Sequence, residues 1–559
     1  MRPTAAHLCM RSRPCLAFRL ASSQRVLILV VFITLGPIIT HVASGQTPAS
    51  PDISSTSTTI RTVTRAIVLD MVASDERGEL VRGLTREDFS ILEDGKAQAI
   101  ASFDSSAVSE TAISQQATDN RQMPPNEVAD TSSASKQTIL VLDEMNTSFV
   151  DVGYARFCLN KFLHQNAGLL SQPTTLMALT NDGLIELHGP SLDGPAIWHA
   201  LDRHRGALPW RQLNGVGSER ERLNLSAFAL HQIAVAGAGS SVRRNIIWLT
   251  AGFPLVSTSP FGGASQQGLY DSIRQLSDEM LRARVVVYTV DPRGAPVNLI
   301  SLDFTDLGSG QNKTQITTIR TTGFEDLALE RFARETGGRS FWGRNDIDAE
   351  IAHAVNEGSG YYTLSYYSSN HNFDGKFRKI AVRVNRAGVR LRARAGYFAV
   401  ADPPLPTGKQ LWLFLEEALR NPMPYTGIAV TAAPTPERNG LQHLSVKLAP
   451  SQLVWHKASE SSQECSLMAE VESFTSRGKP LRSRRYTLQG RRQAKGSSSD
   501  SKEMADQHVV IDLELPSLNA AERLRVVVRD EATGHMGTAD LEGPFAAPDP
   551  AVVATPHRF

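Results

Sequence analysis

The sequence predicts a multidomain chain of α/β-plus-β class, in which a doubly wound, Rossmann-like α/β domain is flanked by β-sandwich-like domains. Three observations carry that expectation. The 559 residues exceed what a single hydrophobic core organises. Between residues 137 and 358, short wholly apolar runs alternate with amphipathic stretches, as parallel strands buried on both faces and joined by helices require. On either side the apolar period shifts towards two, with turn residues between the runs, which is the pattern of antiparallel strands.

Composition sets outer bounds. Hydrophobic content of 41% and charged content of 21% are ordinary for a globular protein. Lys+Arg 58 against Asp+Glu 57 leaves a formal charge of +1, so nothing drives the chain electrostatically towards nucleic acid or an anionic membrane.

At the N-terminus, Arg2, Arg11, Arg13, Arg19 and Arg25 precede an apolar run from Val26 to Ile39, and Ala43-Ser44-Gly45 follows. A basic region, an apolar core and a small-x-small site describe a secretory signal over residues 1–45, cut after Gly45. The competing reading is a retained anchor, although Gly36 and Pro37 interrupt a run short for a span. The expectation is an exported chain, periplasmic, secreted or envelope-associated, that touches membrane only if that anchor persists. Of four cysteines, Cys9 and Cys15 fall in the signal. Cys158 and Cys465 are expected as two buried free thiols in different domains.

Residues 46–59 are rich in Ser, Thr and Pro and read as a disordered spacer. An N-terminal β unit spans 60–104, with strands at Ile67–Val72 and Phe89–Leu92, an Asp94-Gly95 hairpin turn and a further strand from Ile100. Residues 105–136 read as a flexible linker. The α/β domain, 137–358, shows apolar strands at Ile139–Leu142, Leu176–Leu179, Ile246–Leu249 and Val285–Tyr288. Helices at about 150–163, 222–236 and 270–282 stand between them. Strands return over 359–400 at Tyr361–Tyr367, Lys379–Val384 and Val389–Tyr397. Because the two β segments bracket the α/β pattern, they are expected to complete one sandwich with the α/β domain inserted. A mostly β C-terminal domain, 407–547, opens with a helix at Trp412–Leu419 and precedes a disordered tail, 548–559.

In an open α/β sheet, ligands bind outside the carboxyl ends of the strands. The residues past Leu142 are Asp143-Glu144-Met145-Asn146-Thr147-Ser148. An aspartate at a strand end followed by hydroxyl side chains resembles the first loop of a von Willebrand factor A domain, Asp-x-Ser-x-Ser. That loop's oxygens hold Mg²⁺ or Mn²⁺ and leave a position for a partner's carboxylate; hard cations prefer such ligands. Asp143 and Thr147 match, Asn146, Ser148 or Asp151 offers a substitute oxygen, and Ser218 stands where a second-loop threonine is expected. Two positions depart from the pattern. Met145 occupies the first serine position, and the third-loop Thr-Asp-Gly reads Thr250-Ala251-Gly252. The resemblance therefore implies a degenerate metal site of Asp143, Asn146, Thr147 and Ser218. The competing reading of the same residues is that Asp143 and Thr147 cap the next helix without metal. The edge offered to a partner consists of Asp143, Asn146, Thr250 and Asp291.

A narrower resemblance covers roughly residues 60–400. Gly83-Leu84-Thr85-Arg86-Glu87-Asp88-Phe89, Leu92-Glu93-Asp94-Gly95-Lys96, Asp143-x-x-Asn146-Thr147, Asn245–Leu249 before Gly252-Phe253-Pro254, Asp374–Ile380 and Arg392–Tyr397 together resemble the VWFA-related acidobacterial family. That resemblance implies an exported A-type domain protein with a degenerate site.

Enzyme signatures are missing from the sequence. There is no His-Glu-x-x-His and no Gly-x-x-x-x-Gly-Lys, and Gly263-Ala264-Ser265-Gln266-Gln267 lacks the last glycine of a nucleophile elbow. Gly237-Ala238-Gly239 follows a helix and is read as a cap, and Cys158 is read as core. The expectation is a non-enzymatic binding or adhesion protein engaging an unidentified protein partner. The alternative is an envelope scaffold with a structural, metal-free A-like domain.

Overall fold

The computed structural model describes residues 65–105, 136–206, 216–252, 274–295, 298–301, 315–318, 330, 332–402, 404–438, 441–459, 462–476, 478–493, 509–515, 521–543 and 545. The expected signal, the spacer, nearly all of the 105–136 linker and the C-terminal tail lie outside them.

The two β segments that bracket the α/β region pair with each other. Strand β1 (Ala66–Ser74) runs antiparallel between β13 (Tyr362–Tyr367) and β15 (Arg390–Ala393), and β13 also pairs with β4 (Ile100–Ser105). A second sheet orders β16 (Gly396–Phe398), β14 (Phe377–Val384), β2 (Phe89–Glu93) and β3 (Lys96–Gln98). Ile67, Leu69, Ile91, Leu364, Tyr366 and Ile380 lie in one core between them. The β2–β3 turn uses Asp94 and Gly95 at φ 48° and 82°, the paired positive φ of a type I′ hairpin. The run Val389–Tyr397, continuous in the sequence, is two strands in different sheets. The switch needs Gly396, because a Cβ there would lie 2.2 Å from the carbonyl oxygen of Arg378.

The central sheet comprises β5 (Lys136–Asp143), β6 (Leu169–Thr180), β7 (Gly183–Asp193), β8 (Arg243–Leu249), β9 (Val285–Val290) and β12 (Ser340–Phe341). Its order is β12-β9-β8-β5-β6-β7, parallel except for β7, which turns back on β6. Order reverses beside β5, so the sheet is doubly wound with its switch point there. Two hairpin strands, β10 (Asn298–Ser301) and β11 (Gln315–Thr318), stand apart from it.

Strand residues alternate between two cores. Leu140, Leu142, Ile247 and Leu249 meet α1 (Phe149–Leu163), α2 (Gly194–Arg203) and α5 (Ile347–Ser359). Ile139, Val141, Ile246 and Trp248 meet α3 (Val216–Gly237) and α4 (274–282). Both cysteines are buried and free: Cys158 belongs to the first of these cores, and Cys465 to the C-terminal one.

The C-terminal region begins with α6 (Gly408–Arg420), whose Leu415, Ala418 and Leu419 pack into the α3/α4 core. Beyond it lie a sheet of β17 (Val430–Arg438), β18 (Leu441–Leu448) and β22 (Val509–Leu515), and a second sheet. That second sheet holds β19 (His456–Lys457), β20 (Ser462–Phe474), β21 (Pro480–Gln493), β23 (Arg523–Asp530) and β24 (Met536–Glu542). Met468 and Val527 of this sheet reach α6 on one face, while Leu467, Val471, Val526 and Val528 fill its other core. Among the described residues, no helix is long and apolar enough to cross a membrane.

One imidazole ties three helices together. His231 of α3 lies with Nδ1 2.6 Å from Glu279 of α4 and Nε2 3.3 Å from Glu417 of α6. Burial opposes its charged form, but the hydrogen bonds and charges of the two glutamates outweigh burial and push its pKa up to about 10. A folded pKa above the unfolded value near ~6.5 gives stabilisation that is complete below that value and is lost as pH rises towards 10. Urea unfolding across that window should show falling stability, and His231→Gln should flatten the slope. An unchanged slope in the variant would remove His231 as the cause.

Candidate functional site

The switch point places the β5–α1 loop at the carboxyl edge, beside the loop that follows β8. Asp143 ends β5 fully buried. Its Oδ1 accepts the backbone N–H groups of Met145 at 3.0 Å and Asn146 at 2.9 Å. Its Oδ2 accepts Asn146 Nδ2 at 2.8 Å and Trp248 Nε1 at 2.9 Å. Burial raises the carboxyl pKa, and the Asn146 and Trp248 hydrogen bonds offset part of that rise. The carboxylate is the hub on which the loop turns.

Around it the expected residues fall into two groups. Asn146 is fixed by Asp143 and also donates from Nδ2 to Ser226 Oγ at 2.9 Å; its Oδ1 is buried without a hydrogen-bond partner. Thr147 Oγ1 accepts the Ala251 N–H at 3.1 Å, which joins the first loop to the third. Thr250 is buried, and its hydroxyl donates to the Gly252 carbonyl at 2.7 Å. Asp291 stands one strand away, held by Arg293, whose Nε and Nη2 each lie 2.9 Å from a carboxylate oxygen. The edge thus divides into an Asp143–Asn146–Thr147 cluster and a separate Asp291–Arg293 pair.

Ser218 lies in the first turn of α3, and its side chain is outside the described residues. The hydroxyl that meets Asn146 belongs to Ser226, two turns further along the helix. Its signal in the sequence is a polar residue interrupting the apolar stripe of Leu223, Leu230 and Ile233. The helix-cap reading also needs correction. Ser148 is the N-cap of α1 and accepts the Asp151 N–H, because Asp143 and Thr147 are already engaged with the loops.

Glu144, unremarked in the sequence beyond its place next to Asp143, is nearly as buried. Its Oε1 lies 3.1 Å from His204 Nε2, and its Oε2 is buried without a partner. Burial raises its pKa, and the His204 charge works against that rise. Gly206 packs on this carboxylate so closely that a Cβ would approach to 2.7 Å.

The described members of this set, Asp143, Asn146 and Thr147, do not fit Mg²⁺ or Mn²⁺ as placed. A cation needs free oxygen lone pairs converging on one point. The Asp143 oxygens instead face four N–H donors, Thr147 faces the Ala251 amide, and Met145 and Ala251 bring no oxygen, so Asn146 Oδ1 is the one unpartnered oxygen among the described members. Among the described residues, no group of three or more His, Cys, Asp or Glu side chains is spaced to hold a metal ion.

Next to this edge, α1 turns an apolar face outward. Phe149, Val150, Tyr154 and Phe157 are 65%, 77%, 36% and 58% exposed, and the Tyr154 and Phe157 rings stack at 6.3 Å.

No protein-family model matches the chain, and no curated protein matches it. Among solved structures it is similar to an aerotolerance-related membrane protein from Bacteroides fragilis NCTC 9343, at 16% identity over 40% of this chain and 98% of that one, TM-score 0.23. It is similar to the SpRpn10 VWA domain at 13% identity over 28% and 75%, TM-score 0.15. It is also similar to a superoxide reductase from Giardia intestinalis at 16% identity over 20% and 94%, TM-score 0.11. Likenesses this weak decide nothing by themselves. The mixed α/β fold stands on the strand order and the parallel pairings.

Proposed function

We propose that this chain is an exported, non-enzymatic binding protein of the VWFA-related acidobacterial type. Its A-type domain engages a protein partner at the carboxyl edge of the α/β sheet, through a degenerate site that works without a divalent metal. The observation that carries this reading is the exposed Phe149–Phe157 face beside the Asp143 loop. Monomeric globular surfaces seldom leave contiguous aromatic residues in water, and aromatic side chains are enriched at protein interfaces. The saturated Asp143 carboxylate supports a metal-free mode, since the loop holds its shape through N–H donors. A scaffold reading draws on a different observation, the single core that α6 shares between the α/β sheet and the C-terminal sheet. In that reading the β domains do the work and the α1 face is incidental.

The test is capture from the envelope fraction by the purified chain. Phe149→Ser combined with Phe157→Ser should abolish capture without changing circular dichroism, whereas chelator should leave capture intact. Calorimetric titration with Mg²⁺ and Mn²⁺ should give no binding heat. Loss of capture in chelator would restore the metal-dependent mode, and undiminished capture by the double variant would favour the scaffold.

A further inference from the structure

The C-terminal β domain is open along one side. Among the described residues, β21 pairs only with β20 and β22 only with β18, so the two sheets face each other there with unpaired edges. One end of the gap is bridged, because Arg484 Nη1 and the Tyr486 hydroxyl both donate to the Glu514 carbonyl, at 3.0 and 2.5 Å. At the other end, among the described residues, a cavity of about 470 Å³ opens between β21, the start of β22 and the Pro450–Trp455 segment. That volume falls in the range of small-molecule sites, roughly 300–1,000 Å³.

Its wall is apolar and its rim is cationic. Trp455, Leu488, Val509 and Ile511 line it half-buried, so the core of this domain continues into a space that water reaches. The indole is held in place, since Trp455 Nε1 donates to the Pro450 carbonyl at 3.0 Å. Gly490 keeps β21 flat against the floor, where a Cβ would lie 2.7 Å from Cys465 Sγ. Two arginines stand at the rim. Arg491 is engaged by Glu464 at 2.5 Å. Arg492 is not engaged by a carboxylate among the described residues. Its Nε donates to Gln463 Oε1 at 2.7 Å, and its guanidinium stacks 4.4 Å over the Trp455 ring. The side chain is half-buried, and its two Nη groups meet no acceptor among the described residues. A positive charge with free donors therefore sits directly on the apolar wall.

We propose that this cavity binds a single-chain anionic amphiphile of fatty-acid type. The chain lies against Trp455, Leu488 and Ile511, and the carboxylate meets the Nη groups of Arg492. Guanidinium pairs with planar carboxylates through charge-assisted hydrogen bonds, and covering the half-buried side chains removes apolar surface from water. Charge complementarity selects an anion over a neutral hydrocarbon, since Arg492 brings a charge that no described carboxylate answers. The site contains none of the residues at the carboxyl edge of the α/β sheet, so it stands independently of partner binding there.

The experiment titrates the purified full chain with decanoate below its micellar concentration, with 1-decanol as the uncharged control, followed by calorimetry and thermal unfolding. Decanoate should bind saturably at one site and raise the melting temperature, and 1-decanol should bind more weakly. Arg492→Gln should weaken decanoate about fivefold, the low end for a charged hydrogen bond near solvent, and leave 1-decanol unchanged. Val509→Trp, which fills the mouth and keeps both arginines, should weaken both ligands. The proposal is overturned if decanoate does not bind, if Arg492→Gln binds it like the parent, or if Val509→Trp binds both ligands like the parent. A dimer in sedimentation that Val509→Trp dissociates would put a second copy of the chain over the mouth, and would overturn it as well.

Discussion

Glu93→Ala should destabilise the two-sheet body by about 3–5 kcal/mol, among the largest single-residue effects expected in this chain. Glu93 and Arg378 are each about 3% exposed, with Arg378 Nη1 3.3 Å from Glu93 Oε1. The same carboxylate accepts the hydroxyls of Tyr366 at 2.7 Å, Ser368 at 2.7 Å and Tyr397 at 3.2 Å. Alanine would leave the buried guanidinium without its counter-charge and the Tyr366 and Tyr397 hydroxyls without their acceptor, while Ser368 Oγ would keep the Asn370 carbonyl. Arg378 would keep the Asn370 and Asn372 carbonyls, which hold its direction but do not neutralise it. Glu93→Gln retains one acceptor oxygen and should recover about half of the loss. Native-state hydrogen exchange of β1, β2, β13 and β14 measures both. Unchanged protection in Glu93→Ala would mean that Arg378 finds another counter-charge.

Trp248→Ala should cost about 3–5 kcal/mol through the loss of a buried aromatic side chain. Trp248 is 2% exposed on β8, in the core facing α3 and α4, and its indole N–H is one of the four donors on Asp143. Trp248→Phe separates the two roles, since it keeps most of the packing and removes the donor. It should cost about 1.5–3 kcal/mol, the range for a hydrogen bond to a charged group. It should also loosen residues 144–148 at the carboxyl edge more than the sheet itself. Urea unfolding by circular dichroism reads the first effect, and exchange of the Met145 and Asn146 amides reads the second. If the phenylalanine variant protects those amides like the parent, the Asp143 turn does not depend on the indole.

What could be read in the sequence was local. Ile139–Leu142 and Ile246–Leu249 are apolar at every position, because a strand with helices on both faces has no solvent side. The Asp94-Gly95 pair announced a tight turn, because few residues tolerate two successive positive φ values. Ser226 was harder to see, since a serine inside a helix takes its meaning from what faces it, here Asn146. The break between β15 and β16 was hidden for a related reason: Gly396 matters only because the Arg378 backbone passes next to it.

The carboxyl edge shows the same division. That an aspartate stands at the end of the first parallel strand, followed by Met145 instead of an oxygen side chain, is a fact of the sequence. So is the absence of a carboxylate at Ala251. Which groups the Asp143 oxygens face is not, because one of them, the Trp248 indole, arrives from a strand 105 residues away. The sequence by itself therefore determined the alternation of strands and helices and the depletion of metal ligands, since both depend on side-chain type and short spacing. Only the tertiary structure decided that the Asp143 carboxylate is a hydrogen-bond hub, that β1 pairs with β13, and that Arg244 is buried with no described carboxylate paired to it. Each of these depends on long-range partners, whose choice is made by packing across the whole core.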